Sequence, residues 1–161
     1  MTGRAAAIGP YAMAAKSATL RAMILEAEGE GAGAAMKRLI FDLDGVLAID
    51  DPSVPYAERA ANLPVVEKLR AYRAEGFEIV ICSARNMRTF AGQLGKINAV
   101  TLPVIIDWLK ANDIPFDEVF VGKPWCGTDG FYVDDRAVRP DEFLALSLSE
   151  IQMLVGAAPS R

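Results

Sequence analysis

The sequence predicts an α/β fold, a parallel sheet flanked by helices. Three observations predict it. From Met36 onward, short apolar runs alternate with segments of helical periodicity. The first run, Leu39-Ile40-Phe41, leads into Asp42-Leu43-Asp44-Gly45, two carboxylates two residues apart with a glycine behind them. The later runs also end in polar residues, at Ser83, at Gly122-Lys123 and at Asp134-Asp135. In open α/β sheets the ligand cleft lies at the carboxyl ends of the strands, so all of these groups are expected on one rim.

Taken in order, residues 38–43 read as a buried strand. Side chains at i and i+2 of an extended segment share a side, so Asp42 and Asp44 are expected to face one cleft. Two like charges held side by side call for a cation, and a hard ion such as magnesium suits oxygen ligands. An acidic turn with Asp44-Gly45 at its bend is the plain alternative. The polar clusters downstream favour the cleft.

Residues 64–75 read as a helix, with Pro64 at its first position, Val65, Leu69 and Tyr72 on one face, and Gly76 ending it. Residues 77–82 read as a second strand. Residues 86–99 and 101–112 read as two helices, the second capped by Thr101 with Pro103 just inside. Residues 119–121 and 131–133 read as two further strands. The order implies a Rossmann-like parallel sheet with helices on both faces.

Residues 1–35 differ from the rest. They are rich in alanine and glycine and finish in the linker-like Gly29-Glu30-Gly31-Ala32-Gly33-Ala34-Ala35, with one short helix expected over residues 19–28. They are expected to be an extension, flexible or upstream of a natural start at Met36. The domain is placed at residues 36–161.

Composition narrows the chemistry. A chain of 161 residues, 52% apolar and 24% charged, fits one globular domain with a proper core. A net charge of −4 without a long basic run argues against a nucleic-acid surface. No apolar stretch reaches bilayer length, so a cytoplasmic protein without a membrane partner is expected. The chain has no histidine, which removes Ser-His-Asp and Cys-His nucleophiles and imidazole metal ligands. Its two cysteines, Cys82 and Cys126, form no CxxC pair and read as reduced packing residues.

The order DxDG, then serine, then lysine, then a tandem aspartate pair, each after an apolar strand, resembles the haloacid dehalogenase-like (HAD) phosphatase superfamily over roughly residues 36–143. The resemblance implies Asp42 as the nucleophile that forms an aspartyl-phosphate and Asp44 as the general acid and base. It implies Ser83 and Lys123 as holders of the phosphoryl oxygens. It implies magnesium as cofactor, with Asp42, Asp44 through its backbone carbonyl, Asp134 and Asp135 at the metal. The physical chemistry agrees: a carboxylate is repelled by a phosphate dianion unless cations neutralise the site. An acid at position 44 suits ester hydrolysis. The segments SARNMRTFAGQLGKIN, TLPVIIDWLK and VGKPWCGTDGFYVDDRAVRPDEF are similar to the small bacterial capsule biosynthesis phosphatases of that superfamily. That narrower likeness implies a phosphorylated sugar or polyol of capsular or surface polysaccharide synthesis as substrate.

Residues 46–63 leave room for a flap but not for a cap domain, and residues 84–122 are taken up by the expected helices. A capless HAD core is therefore expected, its site open or closed by a second copy in a homo-oligomer. Arg85, Asn86 and Trp125 are candidate substrate contacts: Arg85 for phosphate or a sugar acid, Trp125 for a sugar ring. A surface ion pair for Arg85 and packing under its loop for Trp125 are the plain alternatives. A receiver module would place its acidic pair after the first strand and a lone acceptor aspartate on a middle strand, which this order does not match. A DxD sugar-nucleotide transferase would need a larger fold. A catalytically idle HAD-like partner of a polysaccharide-synthesis enzyme stays open as the alternative function.

Overall fold

The protein is described by a computed structural model, which covers residues 36–156. The expected extension 1–35 and its helix lie outside the described residues. Strands β1 (Arg38–Phe41), β2 (Glu78–Cys82) and β3 (Glu118–Phe120) form a parallel sheet in the order β1-β2-β3. Phe41 stands opposite Ile81, and Cys82 opposite Phe120, so the three strands end nearly level. Helix α1 (Leu63–Ala74) links β1 to β2, and α2 (Leu94–Ala111) links β2 to β3. Two short helices follow, α3 (Pro140–Ala145) and α4 (Leu148–Leu154). No helix among the described residues is long and apolar enough to cross a membrane.

The central strand β2 is buried on both faces, at Ile79, Val80 and Ile81, while the outer strands bury one face. Phe41, Ile79 and Ile81 are buried, whereas Ile40 and Phe120, which point the other way, are exposed. Both crossovers run in the same direction along the sheet, and right-handed connections then put α1 and α2 on one face. Val65, Val66, Leu69 and Tyr72 of α1 and Ile97, Ile105, Trp108 and Leu109 of α2 are buried. Phe143 of α3 closes the same core edge-on to Phe41 at 5.3 Å and stacked on Tyr72 at 5.6 Å. The expected α/β fold, a parallel sheet flanked by helices, is what the structure shows.

Helix α1 begins one residue earlier than expected, with Pro64 tolerated in its first turn. The two helices expected across residues 86–112 are instead a series of turns followed by one helix, α2, which runs through Thr101 and Pro103. Thr101 is not a cap. Its buried hydroxyl accepts from Asn86 Nδ2 at 2.8 Å. The stripe Ile97, Thr101, Ile105, Trp108 continues across the proline, and burying it outweighs the one helix bond that proline cannot donate.

The strand expected at residues 131–133 is absent. Phe131 is 79% exposed and Val133 90%. Residues 121–139 form a long connection containing a tight loop, Cys126 to Gly130, where an added Cβ at Gly130 would lie 2.0 Å from the Cys126 carbonyl oxygen. Only glycine fits there. A strand signal of three apolar residues is a statement about side chains. It becomes a strand only where a neighbour supplies the backbone bonds.

Candidate active site

The site begins where β1 stops. Gly45 turns the chain with φ +80°, a conformation that costs glycine little, and its N–H donates to the Ala48 carbonyl at 2.8 Å. The Leu43 carbonyl accepts from Leu47 N at 3.0 Å and from Ala48 N at 2.8 Å. Leu43, Leu47 and Ala48 are fully buried, and each such leucine contributes about 1.5–3 kcal/mol. The chain then leaves as a flap and returns: Ile49 N donates to Ala60 O and Asn62 N to Leu47 O. Within it, residues Tyr56–Glu58 make one 3-10 turn.

This flap carries three site residues that the sequence reading missed, Asp50, Tyr56 and Arg59. Arg59 is buried and donates through Nη1 to Asp44 Oδ1 at 2.9 Å and to Asp50 Oδ1 at 2.7 Å. Its own carbonyl accepts from Trp108 Nε1 at 2.8 Å, which ties the flap to α2. Arg85 meets Asp44 from the other side, Nε to Oδ2 at 3.1 Å and Nη2 to Oδ1 at 2.7 Å. The guanidinium carbons of Arg59 and Arg85 lie 4.5 and 4.2 Å from the centre of the Tyr56 ring. Arg85 is thus neither a surface residue nor a surface ion pair. Its Nη1 is buried with no hydrogen-bond partner among the described residues.

Asp42 is paired with Lys123, which the resemblance implied as a holder of phosphoryl oxygens. Its Oδ2 accepts from Lys123 Nζ at 2.7 Å, and its Oδ1 from Leu43 N at 2.8 Å. Lys123 also lies 4.4 Å from the centre of the Tyr132 ring. Ser83 is fully buried at the end of β2. Its N–H donates to the Phe120 carbonyl and its Oγ accepts from Arg85 N at 3.0 Å, so it shapes the strand end and orients the Arg85 backbone. Burial pushes the Cys82 thiol above its ordinary range, with Lys123 opposing and Asp42 adding to the rise, which keeps the sulfur protonated.

Asp42, Asp44, Arg85, Asn86 and Trp125 line one cleft of about 690 Å³, together with the flap residues and Arg88. That volume is in the range of small-molecule sites. Asn86 sits there in the left-handed region, φ 62°, with its amide spent on Thr101. Trp125 is 46% exposed rather than packed under its loop, and the Arg88 guanidinium carbon lies 5.5 Å from its ring centre.

The four aspartates expected at the metal are not gathered. Asp134 and Asp135 are exposed beyond the missing strand, and Asp134 Oδ1 accepts from Arg136 N at 2.8 Å. Among the described residues no three of His, Cys, Asp or Glu are grouped to hold a metal ion. Asp42 is taken up by Lys123 and Asp44 by two arginines. The donor set of one chain therefore does not fit magnesium, which needs several oxygens at near-octahedral geometry.

The fold and site define a parallel α/β protein with a carboxylate–arginine cleft at its strand ends. The chain belongs to the same family as a Vibrio cholerae protein whose crystal structure was solved as an MCSG target. The two are 55% identical with a TM-score of 0.72, over 75% of this chain and 98% of that one. A chain from a Pnkp1/Rnl/Hen1 complex is 18% identical with a TM-score of 0.40, over 70% of this chain and 35% of that one, too distant to bear on the site. No protein-family model and no curated protein matches the chain.

Proposed function

We propose that this protein is a capless HAD-type phosphatase, a cytoplasmic phosphomonoesterase working through an aspartyl-phosphate on Asp42. The observation that carries the reading is the 2.7 Å contact of Lys123 Nζ with Asp42 Oδ2, Asp42 lining the same cleft as Asp44. The ammonium lowers the repulsion that a phosphate dianion meets on approaching a carboxylate. Asp42 attacks phosphorus, the ester P–O bond breaks, and the leaving oxygen takes a proton from Asp44. Asp44 then accepts a proton from the water that attacks the phosphoenzyme, releasing inorganic phosphate and freeing Asp42. Arg85 Nη1 is a free buried donor beside this centre, suited to an oxygen of the substrate. Magnesium is the cofactor that the likeness to HAD phosphatases implies; the carboxylates of one chain are not gathered to hold it, and Lys123, Arg59 and Arg85 bring the positive charge of the site.

The proposed substrate is a phosphorylated sugar or polyol of capsular or surface polysaccharide synthesis. Its support is the sequence likeness to capsule biosynthesis phosphatases and the cleft's pairing of arginines with Trp125. Nucleic acid and membrane are not among the proposed partners. One observation favours the second reading, an idle HAD-like partner module: three guanidinium N–H groups already donate to the Asp44 carboxylate, two to Oδ1 and one to Oδ2, which leaves it about one lone-pair site for a leaving oxygen. Phosphate release from a panel of sugar, polyol and nucleotide monophosphates, with magnesium and with a chelator, decides between them. Turnover of at least one ester, with labelled phosphoenzyme caught by rapid quench, is expected. Silence across the panel would leave the idle module.

A further inference from the structure

We propose that the substrate carries a second anionic group, a carboxylate or a further phosphate, which Arg85 Nη1 and Arg88 hold apart from the phosphoryl group at Asp42. The substrate class rests on the phosphatase reading, whereas the anion site stands on geometry. The cleft has more cationic capacity than its own acids use. Asp42 is matched by Lys123, Asp44 by Arg59 and Arg85, and Asp50 by Arg59. Donors are left over on two residues. Arg88 lines the cleft, is exposed and makes no ion pair among the described residues. Arg85 is buried, and its Nη1 has no hydrogen-bond partner among the described residues. A buried donor without an acceptor is costly, and an anionic oxygen is the acceptor that satisfies it most strongly.

The planar guanidinium decides where that group lies. Arg85 grips Asp44 with Nε and Nη2, one edge of its fork. Nη1 is the corner turned away from that carboxylate. What it holds therefore stands off from the oxygen that Asp44 serves, while the phosphoryl group meets Asp42 and Lys123. Arg88 follows in the same run of turns, residues 85–92. Its guanidinium carbon lies 5.5 Å from the centre of the Trp125 ring, which lines the cleft too.

Tyr56 guards Nη1. Its ring centre lies 4.2 Å from the Arg85 guanidinium carbon, on a flap turn that buries no residue. It is the side chain that yields when the anion enters. A neutral polyol tail would leave both arginines unused. A phosphorylated sugar acid or a sugar bisphosphate would engage them, through the same fixed negative charge.

The test measures binding to the full chain by titration calorimetry, with no turnover needed. Propylphosphonate has a neutral tail, phosphonopropionate adds a carboxylate and propylene diphosphonate adds a second phosphonate. At least one of the doubly anionic probes is expected to bind about tenfold tighter than propylphosphonate, the effect of one charge-assisted hydrogen bond. Which of them gains tells a carboxylate from a phosphate. Arg88→Gln changes an exposed side chain, so it should keep the wild-type circular dichroism and lose most of the preference. Arg139→Gln removes the same charge from an exposed arginine that does not line the cleft, and should keep the preference. Arg85→Lys keeps a charge without the planar fork, and in a folded variant should also weaken it.

No preference in the wild type overturns the anion site. So does a preference that survives Arg88→Gln, or a loss in that variant that is equal for all three probes, which would assign Arg88 to the phosphoryl group. A full preference in folded Arg85→Lys overturns the part given to Nη1. Phosphate release is read separately. A doubly anionic preference in a protein that hydrolyses no ester would uphold the anion site and overturn the phosphatase reading. Turnover without any such preference would do the reverse.

Discussion

The flap over Asp44 and the connection after Lys123 are both long, irregular segments at the strand ends, and they are built in opposite ways. The flap is pinned at its base by Leu43, Leu47 and Ala48, all fully buried, and its polar tip is spent on ion pairs. The connection buries almost nothing: Trp125, Phe131, Tyr132 and Val133 all face out. A segment returning to its own sheet within fifteen or so residues can bury its root. The cleft is therefore tightly held on the Asp44 side and loosely packed on the side of the connection.

The sharpest break in that comparison comes at the tightly held side. Asp42→Asn should lower phosphate release by more than about 10³-fold, as loss of a nucleophile that acts as a unit with its partners does. Circular dichroism should be unchanged, because Asp42 is partly exposed and its Lys123 contact is not buried. Near-wild-type turnover in a folded variant would remove the aspartyl-phosphate step.

Asp44→Asn probes the flap contact itself. Loss of a positioned acid costs about 10²–10⁴-fold where the leaving group needs a proton. A sugar phosphate should therefore suffer far more than p-nitrophenyl phosphate if phosphoryl transfer limits both. If hydrolysis of the phosphoenzyme limits instead, both fall alike and the phosphoenzyme accumulates. Equal, undiminished rates with no accumulation would take Asp44 out of the chemistry.

Stability separates the two segments directly. Leu47→Ala at the flap root should cost about 2–5 kcal/mol in denaturant unfolding. Asp129→Ala in the exposed loop should change it by less than about 0.5 kcal/mol. Similar costs at the two sites would mean that the connection is as well packed as the flap.

The smallest effect lies on the acid limb of stability. At the far end of the sheet the Asp117 carboxylate accepts from Arg73 and from Ile79 N, and these bonds hold it below the ordinary carboxylate range, the Arg73 bond foremost. A folded-state value depressed below the unfolded one gives stability that is present above about pH 4 and lost as pH falls through the folded value. Asp117→Asn should flatten that part of the pH profile and leave turnover at neutral pH unchanged. An identical acid limb in the variant would show that the Arg73 contact contributes nothing.

The sequence by itself determined the parallel α/β order, the three strands at residues 38–41, 78–82 and 118–120 within a residue or two, and the meeting of Asp42, Asp44, Arg85, Asn86 and Trp125 in one cleft. These follow from periodicity and from strand ends, which are local properties that topology carries to one rim. Only the tertiary structure decided the rest. Arg59 has no periodic or motif signal in the chain, because its importance lies in the flap folding back onto Asp44 and Trp108. Thr101 and Pro103 carry a strong local stop signal, which the burial of one continuous helical stripe overrode. Residues 131–133 carry a strand signal, yet they form no strand in the structure. A strand exists only where another backbone accepts its hydrogen bonds, and no residue can announce its own neighbour.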